Sequence, residues 1–123
     1  METRVPETFK TGIELWKKSF NQQDAAGCAA QYTANAVMHA RPFGTFTGTE
    51  EIRAFWQQII DSGYASVEYQ NTSWEQKDSN CFILRSEWTM NKAFGAVHEE
   101  HWIIQPDGTA KLEYDDFEVL GER

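Results

Sequence analysis

The sequence is poor in residues that would tie it to many common chemistries. Its 123 residues include only two cysteines, Cys28 and Cys81, with neither CxxC nor zinc-type spacing. A disulfide framework or thiolate metal centre therefore has no basis here, and two reduced thiols packed as small hydrophobes point to the cytoplasm. Positive charge is scarce: 11 Lys and Arg stand against 19 Asp and Glu, a formal net charge of −8. A nucleic-acid backbone and an anionic membrane surface both reward basic clusters, so neither is expected as a partner. No apolar run approaches the roughly 18 residues of a membrane span, and Met1 to Pro6 contain no apolar signal region. Only three prolines are present, and low-complexity tracts, internal repeats and linkers are missing. GxSxG, P-loop and GxGxxG motifs are also missing, which removes the usual signs of covalent catalysis and nucleotide binding. No cofactor is expected.

What is present reads as one α+β domain spanning residues 1–123. Phe9, Ile13, Trp16 and Phe20 draw a helical stripe over residues 6–21, with Pro6 tolerated in the first turn. Asp24 is a good N-cap for a short helix over 24–32. Residues 36–41 alternate as a short strand that places His39 and Arg41 on one face. Thr47-Gly-Thr-Glu50 resembles a capping box before a helix over 49–61, whose apolar stripe includes Ile52, Phe55, Trp56, Ile59 and Ile60. From Val67 to Leu120 four alternating segments follow one another with breaks too short for helices, as in an antiparallel meander. Three helices ahead of four long strands predict helices covering one face of a curved sheet. Both faces of residues 81–90 and 96–105 are half apolar, so Ile83, Val97 and Ile103 would form an exposed patch unless a second copy covered them. A homodimer through the outer face is the expectation.

This order of elements resembles the nuclear transport factor 2-like superfamily, which includes ketosteroid isomerases, SnoaL-type polyketide cyclases and scytalone dehydratase. The matching features are Leu15-Trp16, Asn21-x-x-Asp24, Tyr32 followed by Ala34 and Ala36, Pro42-x-Gly44, Gly48-Thr-Glu-Glu-Ile52 leading to Phe55-Trp56, and Trp102-Ile-Ile ahead of Asp107-Gly108. The resemblance implies a cone-shaped fold with a pocket between helices and sheet, and in many members a dimer. In ketosteroid isomerases a tyrosine on the first helix and an acid on the third long strand form an oxyanion hole, and an aspartate near the proline after the first strand is the base. Glu100 falls at the position of the oxyanion acid, Trp16 at the tyrosine, and Arg41 or Ala40 at the base. Neither of the last two abstracts a proton at neutral pH, which argues against steroid isomerisation.

The residues themselves single out one face of the 96–105 strand. His98 and Glu100 alternate there with Trp102, close to Trp88, and a charged group among large aromatics is either partnered or functional. A turn pairing Pro106 with Thr109 would set Trp102 opposite Glu113, Glu100 opposite Asp115 and His98 opposite Phe117. A one-residue slip would bring Tyr114 and Asp116 instead. Two facing carboxyls in a dry pocket cannot both ionise cheaply, so the candidate catalytic set is Glu100, His98 and Asp115. The structural alternative is a buried ion pair of Glu100 with Arg41 or His98. Trp16, His39, Arg41, Phe55, Trp88 and Trp102 are the candidate pocket residues. His98 and His101 would point to opposite faces of a strand, so no metal site is expected. The functional expectation is a small-molecule pocket protein that acts as a cofactor-free acid–base enzyme of the isomerase, cyclase, dehydratase or hydrolase class on a small apolar or aromatic molecule. A non-catalytic ligand-binding or dimeric partner-binding module is the alternative.

Overall fold

The computed structural model describes residues 5–123, so the reading of the first four residues lies outside it. Helices α1 (Glu7–Asn21), α2 (Ala25–Ala29) and α3 (Thr49–Asp61) accompany strands β1 (Tyr32–Arg41), β2 (Gly44–Thr47), β3 (Glu68–Asp78), β4 (Cys81–Thr89), β5 (Ala93–Ile104) and β6 (Ala110–Glu122). The strands form one sheet in the order β2-β1-β6-β5-β4-β3. Every neighbouring pair is antiparallel except β1 and β6, which run parallel. This is the cone-shaped, mainly antiparallel α+β fold.

Local chemistry sets the helix limits. The Asp24 side chain accepts from the Gly27 N–H at 2.9 Å and starts α2. At α3 the N-cap is Gly48, and Glu51 rather than Glu50 reaches back, accepting from the Thr47 N–H at 2.9 Å. Gly63, at φ +93°, ends that helix in the left-handed region open to glycine. The apolar stripes of α1 and α3 meet over the sheet, where Trp16 and Trp56 pack edge-on with centroids 5.0 Å apart. Gly12 lets α1 close on the sheet, because a Cβ there would stand 2.7 Å from the Trp102 ring.

Three sequence expectations are corrected. The second helix stops at Ala29, and Tyr32 opens β1 instead of closing the helix. The segment after Pro42 forms a second strand, β2, whose Thr45 pairs with His39. The last turn is wider than expected, since the Gln105 N–H donates to the Thr109 carbonyl at 2.7 Å and Trp102 pairs with Leu112 rather than Glu113. An irregularity in β6 at Glu113 takes up the offset, which sets Glu100 opposite Asp115.

Candidate functional site

The site begins with a β-bulge. Between Val97 and Glu99 the pairing of β5 with β6 shifts by one residue, so Val97 rather than His98 pairs with Phe117. A bulge reverses the phase of the alternation. Val97 is therefore buried and lines the cavity, while His98 is exposed and bonds Glu118 across the outer face at 2.9 Å. His101 is also outward, with Glu99 and the Tyr114 ring as neighbours, so the two histidines share a face instead of opposing each other. The apolar patch expected from Val97, Ile83 and Ile103 is accordingly not there: Val97 points inward and Ile83 is buried.

His39 and Arg41 lie on the outer face as well, because Ala36, Met38 and Ala40 take the inward positions of β1. His39 bonds Thr45 at 2.8 Å. The Arg41 guanidinium grips Asp116 with two hydrogen bonds of 2.9 and 3.0 Å, and this pairing depresses the Asp116 carboxyl below its ordinary range. The alternative reading, an ion pair of Glu100 with Arg41 or His98, is thus replaced by two surface pairs, and His98, His39 and Arg41 drop out of the pocket.

Glu100 and Asp115 remain inside, each only 3% exposed. The Tyr69 hydroxyl donates to Glu100 Oε2 at 2.7 Å, and the Trp102 indole N–H donates to Oε1 at 2.9 Å. The Tyr32 hydroxyl donates to Asp115 Oδ2 at 2.7 Å, whereas Oδ1 is buried with no partner. Among the described residues no cation bonds either carboxyl. Burial pushes Glu100 up to about 7, against the opposing pull of its two donors and the more distant Lys17. Asp115 is raised well above the usual carboxyl range by burial and by the neighbouring Glu100 charge, so the two acids titrate as a pair.

Glu100 and Tyr69 line a cavity of about 20 Å³ walled by Trp16, Trp56, Trp88, Met90 and Phe117. A second cavity of about 20 Å³ shares Trp56, Trp88, Met90 and Phe117 and extends past Phe55 to the exposed Phe43. Each holds about one water. A ligand of ordinary size needs roughly 300 Å³ or more, so these aromatic rings must move to admit one. Burial first, and then the Asp115 charge, hold the Tyr32 phenol well above its ordinary range, against a smaller opposing effect of Trp56. The indole N–H groups of Trp16, Trp56 and Trp88 are buried without partners among the described residues. Unpaired donors of this kind cost about 1–3 kcal/mol each. Grouped around a titratable carboxyl, they suit a hydroxyl or carbonyl oxygen of a bound molecule.

Sequence reasoning missed Tyr32 and Tyr69, the two hydroxyls that hold the acids. Tyr32 was hidden by the helix assigned over it. The signal for Tyr69 was its place in an alternating strand beside Val67, with Trp88 its partner on β4.

Fold and site together define a cone-shaped α+β protein with a buried acidic pocket. The SnoaL-like domain profile matches residues 13–115, and the chain belongs to that family. A search of curated proteins finds no match. Among solved structures, a protein of unknown function with a cystatin-like fold from Nostoc punctiforme is similar with TM-score 0.80 at 16% identity, covering 97% of this chain and 95% of that one. A ketosteroid isomerase-like protein from Erwinia carotovora atroseptica gives 0.79 at 12% identity, over 93% and 95% of the two chains. A putative scytalone dehydratase from Novosphingobium aromaticivorans gives 0.80 at 12%, over 95% and 85%. At such identities the likeness is one of fold.

Proposed function

We propose that this single-domain protein is a cofactor-free acid–base enzyme acting on a small, largely apolar molecule, in the isomerase, cyclase, dehydratase or hydrolase class. Glu100 is the proton-transfer group and Asp115, raised in the same direction, the acid beside it. The observation that carries this reading is a carboxyl inside a cavity, held by two neutral donors and by no cation among the described residues, with a pKa raised to about 7. A structural ion pair would have shifted it the other way. Near neutral pH such a group exists in both forms and can take a proton from one atom of a substrate and return it to another. Each oxygen keeps a free lone pair beside its Tyr69 or Trp102 bond, so the carboxylate can accept while staying oriented. The isomerase-like and dehydratase-like names among its structural neighbours support this class by analogy of fold.

The test is a carboxyl titration by NMR, with Glu100→Gln assigning the resonance. A midpoint near 7 is expected. A midpoint below the ordinary glutamate value of about 4.3 would return the chain to the binding-module reading.

We also propose a homodimer in the cytoplasm. Two buried free thiols suit a reducing compartment. Leu120 at 57% and Phe94 at 40% exposure supply an apolar patch on β6 and β5 in place of the one expected from Val97 and Ile83.

A further inference from the structure

On one side a single layer of side chains separates Glu100 from solvent. Val67 and Tyr69 line its cavity and also a surface groove of about 380 Å³ between α1 and β3. The backbone of this layer is unusual. Ser66 at φ +60° and Asn71 at φ +55° are left-handed non-glycine residues, and they bracket the segment 67–70. The β3–β4 register also shifts just beyond it, between Gln70 and Ser73, and β3 is an edge strand of the sheet. Such a segment gives way more easily than a central strand.

Besides its pairing with β4 through Glu68, Tyr69 and Gln70 and the bonds of Gln70 to Thr89 and Ser86, three contacts fasten it. Asn21 at the end of α1 clamps Val67 with both arms of its amide, accepting from the N–H at 2.7 Å and donating to the carbonyl at 3.3 Å. The Lys17 ammonium sits 5.5 Å from the Tyr69 ring centroid and pairs with Glu14 at 2.7 Å. The Tyr69 hydroxyl reaches Glu100 itself. The opposite approach, past Phe43, is blocked by more: Trp56 stacks on Phe117 with centroids 5.5 Å apart, and both cavities share those two rings as a wall.

We propose that small molecules reach Glu100 through the seam between α1 and β3, with residues 67–70 as the door and Asn21 and Lys17 as its latch. In the groove Lys17 and Lys18 balance Glu14 and Glu68, so the entrance selects by size and favours molecules without net charge. The inference rests on Glu100 being the group that faces the ligand.

The experiment measures exchange of 5-fluoroindole, a neutral probe of suitable shape, by 19F NMR line-shape analysis. Asn21→Ala removes two hydrogen bonds that must break on opening, so exchange should quicken about tenfold. Val67→Ala widens the door without touching the clamp and should act in the same direction. Phe43→Ala, at the far end, should leave the rate within about twofold. Acceleration by Phe43→Ala but by neither seam variant would overturn the proposal, as would a probe that binds neither the wild type nor the seam variants. If Glu100 titrates in the ordinary carboxylate range while the seam variants still quicken exchange, the entrance stands and only the proton-transfer reading falls.

Discussion

Glu100 is defined by what it lacks. A buried carboxylate normally has a cation or several backbone donors; this one has a phenol and an indole. Both donors lower its pKa, though by less than burial raises it. Tyr69→Phe removes the larger of the two opposing effects, so the Glu100 midpoint should move further up, above 7. Lys17→Met should move it the same way by less, since Lys17 acts only through distance. Both are read in the NMR titration that tests the parent value, and a downward shift in Tyr69→Phe would contradict the assignment of causes. Sequence alternation was enough to find Glu100. It could not find Tyr32, which lies 83 residues from the Asp115 it bonds.

At the scale of elements, the seating of α1 on Trp102 orders the site, because the same indole fixes one oxygen of Glu100. Gly12→Ala would add a methyl 2.7 Å from the Trp102 ring and 3.3 Å from the Ala110 carbonyl oxygen. Alanine favours the helix by up to about 1 kcal/mol, yet overpacking a rigid core commonly costs about 1–3 kcal/mol. Trp102 is fully buried and has little room to retreat. A net loss of about 1 kcal/mol in denaturant unfolding is expected, together with a changed Glu100 titration; a more stable variant would show that α1 is loosely seated. The bulge in β5 decides as much. Strict alternation carries His98 inward with Glu100, and one extra residue at the bulge sends it to solvent and Val97 into the cavity instead.

For the whole molecule the acid pair sets the pH dependence of stability. Glu100 and Asp115 bind protons more tightly folded than unfolded. The Glu100 stabilisation is therefore complete below the unfolded carboxyl range near about 4 and is lost as pH rises through about 7, and the raised Asp115 acts in the same direction. Asp116 runs the other way: depressed by Arg41, it stabilises above that range and loses its effect in acid. Between pH 5 and 8 the buried pair dominates, because the Asp116 pair is at the surface. The melting temperature should fall across this interval, with Glu100 contributing on the order of 3 kcal/mol, and Glu100→Gln should flatten the fall. A melting temperature that rises from pH 5 to 8 would contradict the raised values. For the dimer, light scattering at micromolar concentration should give twice the chain mass, and Leu120→Glu should halve it. A monomeric wild type would remove the outer face as an interface.

The sequence by itself determined the two long helices and the last four strands, because periods of 3.6 and 2 are written in consecutive residues. It offered two registers for the last hairpin, with Glu100 facing Asp115 in one; the structure has that pairing, reached by a wider turn and an irregularity at Glu113. Only the tertiary structure decided the rest. Whether His98 points in or out depends on one bulge, and nothing in the local pattern marks it. His39 and Arg41 were assigned to the pocket by their place in a strand, but which face is inner is fixed by where α1 and α3 rest on the sheet. The partners of the acids, Tyr32 and Tyr69, come from strands far away in the chain, and a contact across such a separation leaves no trace in the spacing of either residue. The raised acidity range of Glu100 belongs to the same class, since it is caused by burial, a property of the packed molecule and not of any segment.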